Sequence, residues 1–317
     1  MMKFVNLASS TVKVSQIGLG AMQLGSREWG YGKEFNRDTA IKIIHRALEL
    51  DINLIDTAEI YAGGESERII GEAIKGYDRE SIIITSKFFP KAIRPSSVVK
   101  ALKKSLNRLQ TSYVDIYLIH WPLPTPPIGR TLRHMEKMVD EGLIRFIGVS
   151  NFPKQRLEKA QSVMLKHKVE VNQVQYSMVK NVIERELLPY ARSENKLIMA
   201  YSPLAQGWLT GKYSADKPGP KGIRRLNRLF TKKNLLRGEP LLNTLHEIAQ
   251  ENQITMAQLA LSWTIRDPTV VAIPGAKSVT QLEDNANAAD FQLTEDVIQR
   301  INIALAKFNP KLAQSNR

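Results

Sequence analysis

The chain has 317 residues, 43% hydrophobic and 24% charged, which supplies apolar side chains for a sizeable core and argues against disorder. It has no cysteine, which excludes disulfides, thiolate nucleophiles and Cys-ligated metals and suits a reducing cytoplasm. A net charge of +14 raises nucleic acid as a partner, so the location of the charge matters more than its size.

The opening "MMKFVNLASSTVKV" has no apolar stretch long enough for a signal peptide, and no later run approaches the ~18 residues of a membrane span. A soluble protein with no membrane partner is expected. Apolar spacing predicts a short hairpin over 4–7 and 12–14, a strand at "SQIGLG" and a helix over 39–50, where Ile41, Ile44, Ala47 and Leu48 recur at three and four. Then come "INLID", a helix over 67–75, "SIIITSK", a helix over 96–109, "VDIYLIH", a helix over 132–141 and "RFIGVSN". The second half adds a helix over 154–166, "VEVNQVQY", a helix over 184–195, "KLIMAYSPL", two helices within 240–266, "TVVAIPG", a helix from 278 and a last one over 295–307.

Strands that alternate with helices imply a parallel sheet. Eight such units in about 300 residues suit a closed (β/α)8 TIM barrel, with the hairpin in front and an extra helix behind, and the whole of 1–317 as a single domain. A doubly wound sheet would carry a dinucleotide fingerprint after its first strand. In "GLGAMQLG" the last glycine, Gly25, falls two positions late and no helix opens behind it, so a strand-end turn is expected. The stretch 205–238 lacks periodicity and contains "KPGPKG", which predicts a long loop. Its basic run, Lys221, Arg224, Arg225, Arg228, Lys232, Lys233 and Arg237, has no acid within it. A solvated loop explains it most simply, and an anionic ligand comes next. Nucleic acid takes a minor share, because neither an aromatic ladder nor a recognition helix accompanies the run.

A barrel gathers the C-terminal ends of its strands on one face, where active sites sit. The predicted strands end in Asp56, Lys87, His120, Ser150 with Asn151, Gln173 with Gln175, Tyr201 with Ser202, and Pro274 with Gly275. Any one of them alone is ordinary, since a lone strand-end histidine is usually a satisfied core residue; together they describe a site. Asp56 and Lys87, from neighbouring strands, can pair and offset each other's desolvation. Tyr61, five residues past Asp56, can turn back over the mouth, and an ammonium nearby is expected to bring its phenol down toward a useful range. His120 can orient a polar group. Such a set protonates an oxygen that gains negative charge, as a carbonyl does on accepting hydride. Hydride must come from a cofactor, and "IPGAKSVTQLEDN" supplies a turn, Lys277 and a helix start near Ser278 that suit a phosphate. Tyr176 with Lys180 and Tyr213 with Lys217 match a Tyr-x-x-x-Lys spacing, but without a dinucleotide fingerprint both are set aside.

The motifs "DTAEIY", "ITSKF", "YLIHWP", "GVSNF", "NQVQY", "YSPLAQGWLTGKY" and "IPGAKSVTQLEDN" resemble, in order and spacing, those of the aldo-keto reductase superfamily. The likeness runs from Gly18 to Asn285 and is nearest the branches of bacterial, archaeal and plant members and of potassium-channel β-subunits. It implies a catalytic tetrad of Asp56, Tyr61, Lys87 and His120, with Tyr61 as general acid. It further implies that Ser150, Asn151 and Gln173 hold the carboxamide of a nicotinamide while Tyr201 stacks on its ring, and that Met22 and Asp56 also bind the cofactor. Ser202, Pro203, Leu204, Gln206 and Gly207, with Lys212, would cover the pyrophosphate. Gly275, Lys277, Ser278, Gln281, Asp284 and Asn285 would surround the adenosine end. Family members usually take NADPH; here Gln281 stands where many carry an arginine against the 2′-phosphate and Asp284 where glutamate is common, so NADP(H) is expected with NAD(H) possible. The loop over 205–238 would then close over the cofactor.

The resemblance implies reduction of aldehyde or ketone carbonyls, with a cofactor-binding regulatory subunit of negligible turnover as the rival. The substrate pocket would be built from loops 29–35, 121–130 and 205–238, with Trp29, Tyr61, His120 and Trp121 on its wall.

Overall fold

A computed structural model describes residues 1–90, 96–123, 128–216 and 219–308, with the side chain of residue 223 also outside the description. Part of the predicted 121–130 loop, Lys217 of the second Tyr-x-x-x-Lys pair, and the 309–317 end of the predicted domain therefore lie outside the described residues.

The chain opens with an antiparallel hairpin, β1 (Phe4–Asn6) and β2 (Lys13–Ser15). An eight-stranded parallel sheet follows, in the order of the sequence. Its units are β3 (Leu19–Gly20) with α1 (Arg37–Glu49), β4 (Leu54–Asp56) with α2 (Glu65–Ala73), β5 (Ile83–Phe88) with α3 (Ser97–Leu109) and β6 (Val114–Ile119) with α4 (Ile128–Asp140). Next are β7 (Ile144–Ser150) with α5 (Lys154–Ser162), β8 (Val169–Gln175) with α6 (Leu187–Ser193), and β9 (Leu197–Tyr201) with α7 (Lys232–Glu251) and α8 (Met256–Thr264). The last unit is β10 (Val270–Ala272) with α9 (Val279–Asn287), and α10 (Glu295–Lys307) comes behind it. Parallel bridges from Ile17 to Ala272 and from Gly20 to Gly275 join the first strand to the last and close the ring.

Two apolar layers hold it. Inside the ring Leu54, Ile83, Ile116, Leu118, Val171, Leu197, Met199 and Val271 pack together, and Leu7 and Val14 of the hairpin plug the N-terminal mouth. Asn53 fixes that plug, donating to the Lys13 carbonyl and accepting from the Ser15 N–H. The other face of the strands packs on the helices, so each strand is apolar on both sides, which is why "SIIITSK" and "VDIYLIH" read as runs rather than alternations.

Some boundaries differ from the sequence expectation, each for a local reason. Helix α5 stops at Ser162, where the Val163 and Met164 N–H groups turn to the Gln161 carbonyl, and those of Leu165, Lys166 and His167 then donate to the Glu136 carboxylate rather than continue the helix. Helix α6 starts later than expected, after a 3-10 turn at Val182–Glu184. Helix α7 begins at Lys232, inside the predicted loop, and runs through Pro240. A proline inside a helix costs about 3 kcal/mol, and burial of Leu235, Leu241, Leu242 and Leu245 offsets it. Gly238 lies in the same helix because Trp208 packs on it: a Cβ there would fall 2.2 Å from the indole. Among the described residues no helix is long and apolar enough to cross a membrane.

Candidate active site

The C-terminal ends of the strands surround a cavity of about 660 Å³. At its floor, β4 ends in Asp56 and β5 carries Lys87 one strand over, both buried. The Lys87 ammonium donates to Asp56 Oδ2 at 2.8 Å, to the Thr57 carbonyl at 2.8 Å and to Tyr61 Oη at 3.0 Å. All three of its protons thus have acceptors. Tyr61 returns over the mouth because the chain reverses in a 3-10 turn at Tyr61–Gly64, where Ala62, Gly63 and Gly64 all take left-handed backbone. Its ring lies edge-on to His120, centroids 5.8 Å apart, and His120 stacks on Trp121.

Electrostatics here are set first by burial. Burial works against the Lys87 ammonium, but Asp56 and Tyr61 together outweigh it and hold its pKa above the ordinary value. Burial raises the Asp56 pKa while Lys87 and Gln173 oppose it. Each Asp56 oxygen accepts from a group that can only donate, Lys87 on one side and the Gln173 amide at 2.6 Å on the other. Both bonds are made best by the ionised carboxylate and so favour the ionic form of the buried pair against the cost of burial. For Tyr61 the sequence expectation is overturned: burial, with Asp56 adding to it, outweighs Lys87 and pushes the phenol up. Lys87 limits the rise without reversing it. His120 is pushed down to about 3, by burial first and by the Lys87 charge second, so its imidazole is neutral at neutral pH.

Along one wall, Asn151 donates to the His120 carbonyl and to Ser150 Oγ and accepts from Tyr201 Oη at 2.9 Å. Asn151, Ser202 and Gln206 line the cavity in left-handed backbone, with φ of 65°, 52° and 60°. Such conformations cost a non-glycine residue about 1–3 kcal/mol each and gather at functional sites. Buried polar atoms also remain without partners at the wall, namely His120 Nδ1 and Gln23 Oε1. A cavity of this volume whose lining carries unpartnered polar atoms together with the cations Lys212, Arg224 and Lys277 suits an anionic nucleotide.

Of the residues expected at the site, Met22, Trp29, Asp56, Tyr61, His120, Trp121, Ser150, Asn151, Gln173 and Tyr201 line the cavity. So do Ser202, Pro203, Leu204, Gln206, Gly207, Lys212, Gly275, Lys277, Gln281, Asp284 and Asn285. Lys87 lies beneath the lining. Ser278 is off it and caps α9, accepting from the Gln281 N–H. Of the basic run, Arg224 alone among the described residues is on the wall. Glu34, inside the expected 29–35 pocket loop, also lines it, as do Gln23 and Thr255, which the sequence reading did not name; the Thr255 and Gln258 capping box marks the helix start that sets Thr255 there. Tyr176, from the first Tyr-x-x-x-Lys pair, is a buried structural residue bonded to Glu184 and Arg266. Among the described residues no group of three or more His, Cys, Asp or Glu is placed to hold a metal.

Comparison with known proteins identifies the family of the chain and agrees with its fold. The sequence model of the aldo/keto reductase family matches residues 16–306. An uncharacterised oxidoreductase of Mycobacterium tuberculosis is 45% identical over 298 residues, covering 94% of this chain and 91% of that protein. The NADH-specific methylglyoxal reductase of Escherichia coli is 30% identical over 316 residues, covering 93% and 95%. Among solved structures, an aldo-keto reductase from Klebsiella pneumoniae in complex with NADPH superposes with a TM-score of 0.77 at 31% identity, covering 96% of this chain and 95% of that one. Since the match extends from the closing bridge of the barrel into its last helix, the chain belongs to the aldo/keto reductase family.

Proposed function

We propose that this protein reduces aldehyde or ketone carbonyls to alcohols with NADPH, accepting NADH as well, and that Tyr61 is the general acid. The observation that carries this is the buried ammonium of Lys87, bonded at once to Asp56 and to the phenol of Tyr61 on the cavity wall. Support for the cofactor comes from the family match, from the NADPH-bound relative and from the NADH-specific one. When bound, the nicotinamide supplies the hydride.

The residues around it hold and orient. Ser150, Asn151 and Gln173 would hold the carboxamide with Met22 near it, and Tyr201 would lie against the ring. Ser202, Pro203, Leu204, Gln206, Gly207 and Lys212 would cover the pyrophosphate. Gly275, Lys277, Gln281, Asp284 and Asn285 would surround the adenosine end. His120, neutral at pH 7, would orient the carbonyl oxygen without a charge of its own. Trp29 and Trp121 would exclude water from the reacting carbon. As negative charge grows on the carbonyl oxygen, Tyr61 transfers its proton to it, and Lys87 stabilises the phenolate left behind. Asp56 holds the ammonium in place and keeps it charged. Residues 1–317 would act as a single barrel domain in the cytoplasm, with part of 205–238 covering the nucleotide.

A panel of aldehydes and ketones assayed with NADPH and with NADH tests this. Turnover of at least one carbonyl class with loss of reduced-nicotinamide absorbance is expected. Tight nucleotide binding with negligible turnover across the panel would replace it with the regulatory-subunit alternative.

A further inference from the structure

The cationic end of the cavity contains an acid of its own. Glu34, from the loop between β3 and α1, accepts from Lys277 Nζ at 2.7 Å across a sequence separation of 243 residues. The bond joins the loops that follow the first and last strands of the ring, beside the barrel closure at Gly20 and Gly275. The cations on the cavity wall are Lys212, Arg224 and Lys277. The bond to Lys277 comes first in holding the Glu34 carboxyl below its ordinary range, with Arg224 and Lys212 adding to it. An anionic group thus already sits among the cations to which a nucleotide phosphate would be drawn.

The other groups nearby are engaged as well. Gln281 accepts from the Lys277 N–H, and Asp284 accepts from Thr255 and Gln258. Position 281 therefore offers no cation, and Lys277 is the ammonium placed at the start of α9. Its side chain is only 18% exposed, while that of Glu34 is 52% exposed. The lysine is therefore the more buried member of the pair, and its acidic partner faces solvent.

We propose that Glu34 is a specificity-determining residue that competes with the 2′-phosphate of NADPH for Lys277 and so narrows the enzyme's preference over NADH. This rests on the nucleotide placement proposed above. A bound 2′-phosphate would either displace Glu34 from Lys277 or share the ammonium with it, and two anions on one cation repel. A 2′-hydroxyl carries no charge and leaves the ion pair intact.

The test is equilibrium binding, followed by quenching of protein tryptophan fluorescence, of NADPH, NADH, 2′,5′-ADP and 5′-AMP to wild type, Glu34→Gln and Lys277→Gln. Glu34→Gln is expected to tighten NADPH and 2′,5′-ADP about tenfold while NADH and 5′-AMP stay within about twofold. Lys277→Gln should weaken the two 2′-phosphorylated ligands and leave the other two near wild type. An equal change for all four ligands in Glu34→Gln, or no tightening of NADPH, would overturn the assignment and reduce Glu34 to a loop fastener. Failure of wild type to bind either dinucleotide would instead defeat the function proposed above, and this inference with it.

Discussion

Gln173 on β8 donates through Nε2 to Asp56 Oδ1 on β4 at 2.6 Å, reaching across the inside of the barrel between strands that are not neighbours in the sheet. With Lys87 on its other oxygen, Asp56 is fully engaged at 3% exposure. The pair therefore behaves as a buried ion pair whose members are costly to leave alone, though not one that must be stabilising in itself.

Removing one member should accordingly do more harm than removing both charges. Lys87→Met leaves the Asp56 carboxylate buried without its counter-ion and is expected to lower unfolding free energy by about 3–5 kcal/mol. Lys87→Met combined with Asp56→Asn should recover much of that stability while turnover stays low. Denaturant unfolding of the two single variants and the double variant measures the coupling. Additive losses would show that the ion pair is not a unit.

Tyr61→Phe removes the proton donor and one acceptor for Lys87, but leaves Asp56 and Thr57 in place. A loss of about 10²–10⁴ in turnover is expected, the usual worth of general acid catalysis, with nucleotide affinity within about twofold of wild type. Single-turnover oxidation of NADPH with a reactive aldehyde measures the first and fluorescence titration the second. Unchanged turnover would exclude Tyr61 as the donor. Because burial raises the Tyr61 pKa, the wild-type rate should not fall through phenol ionisation at neutral pH, and a Tyr61-dependent decline belongs to strongly alkaline pH.

Much of this was legible in the sequence, and the parts that were not share a cause. Asp56, Lys87, His120 and Tyr201 could be placed because strand ends converge in a barrel whatever the loops do. The Glu34–Lys277 contact could not, since it depends on how two loops at opposite ends of the chain meet. The direction of the Tyr61 shift was misjudged because the ammonium is visible in sequence and the depth of burial is not. The start of α7 was obscured by Gly238 and Pro240, whose local preference is overridden by packing on Trp208 and by the buried leucines. The Gln173–Asp56 bond joins two residues that were both expected at the site, but as separate contributors.

Glycines at the barrel seam separate backbone from side-chain constraint. A Cβ at Gly20 would meet the Ile273 carbonyl at 2.6 Å, and one at Gly275 would meet the flexible end of Gln23 at 1.9 Å. Gly20→Ala should therefore force the closing strands apart and destabilise by about 1–3 kcal/mol, as overpacking does. Gly275→Ala needs only Gln23 to swing aside, which leaves stability nearly unchanged and alters nucleotide affinity. Thermal unfolding of both variants with titration of NADPH checks the contrast; equal destabilisation would mean that the seam yields as readily as a side chain.

His120 gives the acid side of the stability profile. An unfolded chain protonates histidine near pH ~6.5, whereas here burial and Lys87 delay protonation to about 3. Between those values the unfolded state binds more protons, so the contribution is complete above the unfolded value and is lost as pH falls through the window. His120→Gln removes the titrating group at similar size. Its unfolding free energy is expected to decline less steeply than wild type between about pH 7 and about pH 4, while carboxylates common to both proteins cancel in the comparison. Denaturant melts at several pH values give the two slopes. Parallel slopes would place a charged imidazole in the folded protein and remove the basis for treating His120 as a neutral group toward the carbonyl.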